Sequence, residues 1–507
     1  MAGRLLLRNF SSHRMWMKAA MLIGSMLVFL ALQLILHLDV SWTQHMAYRP
    51  STQSIPISAP WEKAFRNYEN FHARCSEHRN WTRQFLEATV ESNRSNSHRR
   101  FDNCRVLVYV EGGAGMGNRL LSLVSAFLYS LLTKRVFLLD SRGNLPKLLC
   151  EPFSNSSWVL PFDFPFKALD EAATLRDFGK ATAVSKNSSA QVVRLQLDHD
   201  QSVEDGRFFC IETRESLQFV SWLVWTSNQY YVPRFFTFPE LWQPLKALFP
   251  NVTLTFTHLS RSLLLPSNSL WEKVTRIYSS YLSQADWRLG IQIRRHSVSD
   301  KGRYDEPAFD RVLSCLISQK FLPNIEFGNN ISSRQETRNS RIPRHVNHAV
   351  LVTSLQVKFF EKLRDLYSNT ATVDGSLVRL HMVSHEGVEW HSFDQDEKAF
   401  IEMWLLSLSD RIATSSFSTF GYIAQGLGAM RPLLVELRGE ISEQMSMEMS
   451  HVCYIGQSIE PCNHFPFYPT RSQCAVIQTA RSNTHLAWIR RNLLPCQDLP
   501  QGLQLVS

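Results

Sequence analysis

The sequence predicts an α/β protein with two domains facing a cleft, preceded by a single transmembrane helix and a stem. Three observations predict it. Residues 19–36 (AAMLIGSMLVFLALQLIL) form an uncharged apolar run. Residues 106–140 read as strand, glycine-rich loop, helix and strand. From residue 286 onward, strand and helix patterns alternate again. At 507 residues the chain has room for both domains and a stem, and its 44% apolar content is that of a folded protein.

Taken in order, residues 1–18 carry Arg4, Arg8, His13, Arg14 and Lys18 and read as a cytosolic tail. Residues 19–38 read as the anchor, about the length that crosses a bilayer as a helix. The basic flank puts the N-terminus in the cytosol and the remainder in the lumen or outside. A cleaved signal peptide would have a shorter apolar core and a small-x-small site, and none is clear after Leu36. Residues 39–100 read as a stem, with Pro50, Pro56 and Pro60 near its start and helical character at 61–91. Sequons at Asn80, Asn93, Asn155, Asn187, Asn251 and Asn330 agree with a luminal address. The nine cysteines agree too, their odd number leaving at least one free or intermolecular. Cys453, Cys462 and Cys474 lie close together and suggest a stapled C-terminal loop.

Residues 101–285 read as the first α/β domain. Residues 106–110 are β-branched and apolar, as suits a strand buried on both faces. Gly112, Gly113, Gly115 and Gly117 then crowd one loop, which lets the backbone take φ > 0 and approach a ligand closely. The spacing is neither a dinucleotide fingerprint nor a P-loop. Asn118 and Arg119, at the mouth of the next helix, suit a polar or charged ligand. The helix N-terminus itself favours an anion. Residues 135–140 give the second strand. Trp222, Trp225, Tyr230 and Tyr231 either stack on sugar rings or pack in the core.

Residues 286–507 read as the second α/β domain with a C-terminal return segment. Residues 290–293 open it, and Arg294 falls at that strand's carboxyl end, where such sheets bind ligands. Strand patterns at 349–354, 379–383, 411–415 and 433–435, with helices between them, argue for a parallel sheet. Ser416, Ser418 and Thr419 stand at a strand–helix junction. Such hydroxyls cap helices; they also hold diphosphates. With Arg294 they suit a nucleoside diphosphate, whose charge as a leaving group the guanidinium would neutralise. No Asp-x-Asp after a strand is recognised as a divalent-ion holder, which points to a reaction without metal. The charge of +9 and pI of about 9.1 favour anionic ligands. No nucleic-acid-binding motif is present, so no nucleic-acid partner is expected.

A series of short motifs runs in order over residues 100–507. Its members are Gly115-Met116-Gly117-Asn118-Arg119, Cys150-Glu151-Pro152-Phe153, Tyr231-Val232-Pro233, His258-Leu259-Ser260-Arg261, Gly290-Ile291-Gln292-Ile293-Arg294, Ser384-His385-Glu386, Ser418-Thr419-Phe420-Gly421 and Glu460-Pro461-Cys462. In this series the sequence resembles the plant-type (xyloglucan-like) α-1,2-fucosyltransferase family. The resemblance implies two Rossmann-like domains in a GT-B-like pair. It implies a Golgi membrane enzyme, single-pass type II, that uses GDP-fucose with no cofactor or metal. Such an enzyme inverts the anomeric carbon and acts on a glycan acceptor with terminal galactose. Arg294 would bind the GDP diphosphate, and Ser418, Thr419 and Phe420 would line the nucleotide site with Gly115 and Gly117. Asn118 and Arg119 would face the fucose or the acceptor. A homodimer is compatible with the sequence.

One departure stands out. The family commonly has Asp-Asn before its Tyr-Phe-Val-Pro stretch, whereas Asn228-Gln229 precede Tyr230-Tyr231-Val232-Pro233 here. An asparagine cannot act as a carboxylate base. His258, His385 and Glu386 are other candidates. The departure keeps a second expectation open: a catalytically silent GDP- or glycan-binding membrane protein of the same fold.

Overall fold

The computed structural model describes residues 55–91, 104–175, 191–198, 205–294, 306–326, 346–383, 392–437, 453–468, 474 and 482–507. Every described residue lies in one compact unit, residues 55–507. The expected tail and anchor at residues 1–38 fall outside the described residues. Among the described residues no helix is long and apolar enough to cross a membrane.

Two helices open the unit, α1 (Ala59–Ser76) and α2 (Trp81–Glu91), within the segment read as stem. Trp61, Phe65, Tyr68 and His72 recur at helical spacing and are buried, so α1 presents one apolar face to the protein. Trp61 donates its indole N–H to Ser262 Oγ at 3.0 Å, and Tyr68 Oη donates to the Arg135 carbonyl at 2.7 Å. A Cys75–Cys104 disulfide ties the pair to the first strand.

His72 carries a pH dependence. It is fully buried between Ser156 Oγ (2.7 Å) and the Phe137 carbonyl (3.0 Å). Burial pushes its pKa from 6.5 down to about 4. The folded state therefore binds fewer protons than the unfolded state between these values. Stability contributed by neutral His72 is present above about pH 6.5 and is lost as pH falls toward 4, on the order of 3 kcal/mol in all. Denaturant titrations of wild type and His72→Gln from pH 7 to 4 should show the variant's slope reduced.

The first sheet is built from β1 (Arg105–Tyr109), β2 (Arg135–Leu139), β3 (Ala173–Thr174), β4 (Val192–Leu197) and β5 (Trp222–Ser227) in the order β2-β1-β5-β4-β3. All its ladders are parallel. Helix α3 (Met116–Leu132) crosses from β1 to β2 and is buried along most of its length. Trp222 and Trp225, open to two readings in the sequence, lie in β5 and pack in the core, as do Tyr230 and Tyr231 just after it.

Helix α4 (Thr255–Leu263) carries the His258-Leu259-Ser260-Arg261 motif, and it leads through β6 (Trp287–Ile293) and α5 (Glu306–Ser318) into the second sheet. Next come β7 (Asn347–Ser354), α6 (Val357–Asn369), β8 (Leu377–His381), α7 (Phe393–Ser407), β9 (Arg411–Ser415), α8 (Thr419–Gly428), β10 (Leu433–Val435) and β11 (Cys453–Ile455). The order is β11-β10-β9-β6-β7-β8, parallel except for β11. The motif on α4 closes the end of α8. Arg261 Nε donates to the Leu427 carbonyl at 2.9 Å and Thr257 Oγ1 to that of Gly426 at 2.8 Å. The Gly426 carbonyl also accepts the Ala429 N–H at 3.2 Å, while that of Leu427 lies among the last carbonyls of the helix, which lack intrahelical donors. His258 is buried within this contact and burial pushes it down to about 4, so it stands in the core rather than at a cleft.

A short hairpin, β12 (Leu493–Pro495) and β13 (Leu503–Leu505), ends the chain. The three clustered cysteines do not staple one loop. They reach separately to distant partners, as Cys315–Cys453, Cys462–Cys496 and Cys210–Cys474. Cys150 remains free.

Candidate active site

The parallel ladder β6–β9 brings Arg294 to the turn between β9 and α8. The Arg294 backbone N–H donates to Ser415 Oγ at 2.8 Å. Phe417 in that turn takes a left-handed φ of 58°, a costly conformation for a residue with a Cβ. The C-terminal return segment holds it there. Asp498 Oδ2 accepts the Phe417 N–H at 3.0 Å and also the Tyr422 hydroxyl. The His464 ring lies 4.1 Å from the Phe417 ring centroid.

Two of the three hydroxyls in this turn are already committed. Ser418 Oγ accepts the Gly421 N–H at 3.4 Å and caps α8. Thr419 Oγ1 donates to Asn118 Oδ1 at 2.6 Å, across to the first turn of α3. Ser416 Oγ is buried with no hydrogen-bond partner among the described residues. Phe420 is partly exposed beside these.

That Asn118–Thr419 bond marks where two helix N-termini meet. A Cβ on Gly117 would stand 2.8 Å from Thr419 C and Oγ1 and 2.9 Å from Phe420 N. Only glycine permits this approach. Among the described residues the sole glycine with positive φ is Gly375, so the glycine loop is not built on left-handed turns as the sequence suggested. Its use is close packing at Gly117. Gly115 is the N-cap of α3, with no side chain to cap it.

The electrostatic consequence is direct. Each helix N-terminus carries about half a positive charge and first-turn amides without intrahelical acceptors. The N-termini of α3 and α8 adjoin here, and Arg294 stands at the end of the neighbouring strand. Arg294 is partly buried, burial lowers its pKa, and among the described residues no acid pairs with it. Asp498 answers part of the charge at the α8 N-terminus, and Glu111 and Asp396 flank the first turn of α3, so Arg294 is the positive group left to meet a diphosphate.

Arg119 is placed differently from the sequence expectation. It does not face an open cleft. It is 3% exposed, and its two terminal nitrogens pair with Glu111 Oε2 (2.7 Å) and Asp396 Oδ1. The sequence reading missed both acids, and also Asp498 and His464. Asp498 lies in the tail stretch Cys496-Gln497-Asp498, which also resembles the family, but no sequence pattern assigned its carboxylate a role.

Over residues 39–471 the chain matches the family described as xyloglucan fucosyltransferase. The chain belongs to that family. It is 35% identical over 455 residues to a galactoside 2-alpha-L-fucosyltransferase of Pisum sativum, covering 87% of this chain and 75% of the relative. To one of the same name from Arabidopsis thaliana it is 34% identical over 479 residues, covering 92% and 79%. It also resembles a solved point mutant of Arabidopsis thaliana FUT1 in complex with GDP. There the TM-score is 0.77 and the identity 31%, with 92% of this chain and 96% of the other covered. The α/β architecture with two largely parallel sheets is that of the GT-B-like fucosyltransferases.

Within this fucosyltransferase, Asn228 stands at the carboxyl end of β5. The register Leu197↔Ser227 sets Asp198 beside it at the end of β4. Asp198 opens Asp198-His199-Asp200, an Asp-x-Asp directly after a strand, which the sequence reading passed over because β4 was not recognised. That removes the sequence ground for expecting no metal. His199 and Asp200 lie outside the described residues, as do the candidate bases His385 and Glu386.

Proposed function

We propose that this chain transfers L-fucose from GDP-fucose to a galactose hydroxyl of a cell-wall polysaccharide or glycoprotein glycan, making an α-1,2 linkage with inversion. The observation that carries this reading is the meeting of the α3 and α8 N-termini beside Arg294. The relatives' names and the GDP bound to FUT1 support it. The acceptor oxygen attacks the fucose anomeric carbon as its bond to the diphosphate oxygen breaks, and the acceptor proton leaves to a base. Negative charge grows on the departing GDP. Arg294 and the first-turn amides of α8 face that charge and lower the barrier. The second sheet holds most of the donor and the first most of the acceptor, with residues 101–285 and 286–507 as the two lobes.

The same reading places the enzyme in the Golgi membrane as a single-pass type II protein with a luminal catalytic part. Four disulfides support an oxidising compartment. The exposed sequon residues Asn80, Asn155 and Asn251 support it too. The donor step is read as metal-independent, because fixed positive groups already face the diphosphate. Asp198-His199-Asp200 favours a second reading, in which a divalent ion assists.

The test is transfer of labelled fucose by the full chain in detergent onto galactose-ended glycans, with magnesium, with manganese and with EDTA. Label that an α-1,2-specific fucosidase removes, at a rate unchanged by EDTA, is the expected result. Loss in EDTA selects the metal-assisted reading. GDP binding without transfer to any acceptor would make the chain a silent binder.

A further inference from the structure

We propose that Arg119 is a positioning residue which clasps the acceptor-side sheet to the donor-side helices and binds no substrate itself; this rests on the fucosyl-transfer reading. The observation is a closed ring of buried polar contacts. Arg119 Nη1 donates to Glu111 Oε2 at 2.7 Å, and Glu111 Oε1 accepts the Leu145 N–H at 2.8 Å. On the other side Arg119 Nη2 donates to Asp396 Oδ1, and Asp396 Oδ2 accepts from Asn144 Nδ2 at 2.8 Å. Asn144 and Leu145 are consecutive, so the ring closes on itself.

The ring joins four places in the fold. Glu111 follows β1, Arg119 lies in the first turn of α3, residues 144–145 follow β2, and Asp396 lies in the first turn of α7. The first three belong with the first sheet; α7 packs on α8 and β6 of the second. Asn118, one residue before Arg119, bonds Thr419 of α8. A single turn of α3 is therefore fastened to the N-termini of both α7 and α8.

Arginine suits this place because its planar fork holds two carboxylates at once, which a lysine point charge cannot do with the same geometry. The space is fitted to Glu111 as well. A Cβ on Gly143 would stand 1.8 Å from Glu111 Oε1. Both terminal nitrogens are engaged, and Nε, which has no hydrogen-bond partner among the described residues, is buried with the rest of the side chain, so Arg119 exposes no edge to a sugar. Its effect on transfer runs through the alignment of acceptor and donor, where a displacement of about 1 Å can cost about 100-fold in rate.

The test uses the full chain in detergent, with Arg119→Lys, Asp396→Asn, the double variant and Asn144→Ala, which trims the ring without stranding a charge. Three quantities are read: GDP affinity, fucose transfer, and hydrolysis of GDP-fucose by water. Water needs no alignment with the first sheet. Transfer should fall about 100-fold in Arg119→Lys, while GDP affinity and donor hydrolysis stay within about threefold. The double variant should be no worse than the weaker single one. Asn144→Ala should show the same split more weakly, and it decides the matter if the charged-site variants do not fold. Equal loss of GDP binding, hydrolysis and transfer in Asn144→Ala and Arg119→Lys would overturn the proposal, as would unchanged transfer. A wild type that neither binds GDP nor transfers fucose would instead sink the underlying functional reading.

Discussion

Arg294→Ala should weaken GDP binding about 100-fold and slow fucose transfer by about 1,000-fold or more. Hydrogen bonds to a charged group contribute about 1.5–3 kcal/mol, and the alanine variant loses them from a partly buried place where water cannot replace them well. The larger effect on rate arises because the charge on the diphosphate grows as it leaves. A group facing that charge stabilises the transition state more than the bound donor. Arg294→Lys should recover part of the binding but less of the rate, since a point charge lacks the bidentate fork. Calorimetry with GDP and steady-state rates of transfer check both numbers. The fold should survive the change, because the Arg294 contact with Ser415 is made by the backbone N–H.

Gly117→Ala should damage both stability and transfer. In an ordinary helix this substitution stabilises by about 1 kcal/mol. Here the new Cβ meets backbone atoms of Thr419 and Phe420 at 2.8–2.9 Å, and backbone cannot swing aside as a side-chain tip can. Overpacking of this kind costs about 1–3 kcal/mol, so the sign reverses. The N-termini of α3 and α8 must separate, the Asn118–Thr419 bond lengthens, and the positive potential spreads. A lower melting temperature together with weaker GDP binding is expected. Gly113→Ala is the control. A Cβ there would have nothing within 4 Å, and its φ is not positive, so little change is expected. Similar losses in both variants would mean that the loop, and not the helix contact, matters.

Much of this architecture was legible in the sequence because its strands are buried on both faces. Residues 106–109 are a short apolar run and residues 412–415 a run of small or β-branched side chains, both buried throughout, and each ends close to a functional turn. Strand β5 was not legible. Its two tryptophans resemble a sugar-stacking surface as much as a core, and only the parallel pairing with β1 and β4 decides between them. Arg294 could be placed from its strand alone. Arg119 could not, because its partner Asp396 is 277 residues away and reaches it only through the packing of α3 against α7 and α8. The same applies to Thr419, whose hydroxyl is committed to Asn118 301 residues away. The role of Asp498 in holding Phe417 likewise depends on a tail that returns to the turn after β9.

The measurement that bears most directly on the central claim is a calorimetric titration of the full chain with GDP, in EDTA, beside Arg294→Ala. The site built from two helix N-termini and Arg294 is expected to bind GDP without any added ion, with affinity lost in the variant. No GDP binding by the wild type, or equal binding by both proteins, would contradict the assignment of the donor diphosphate to this point in the fold.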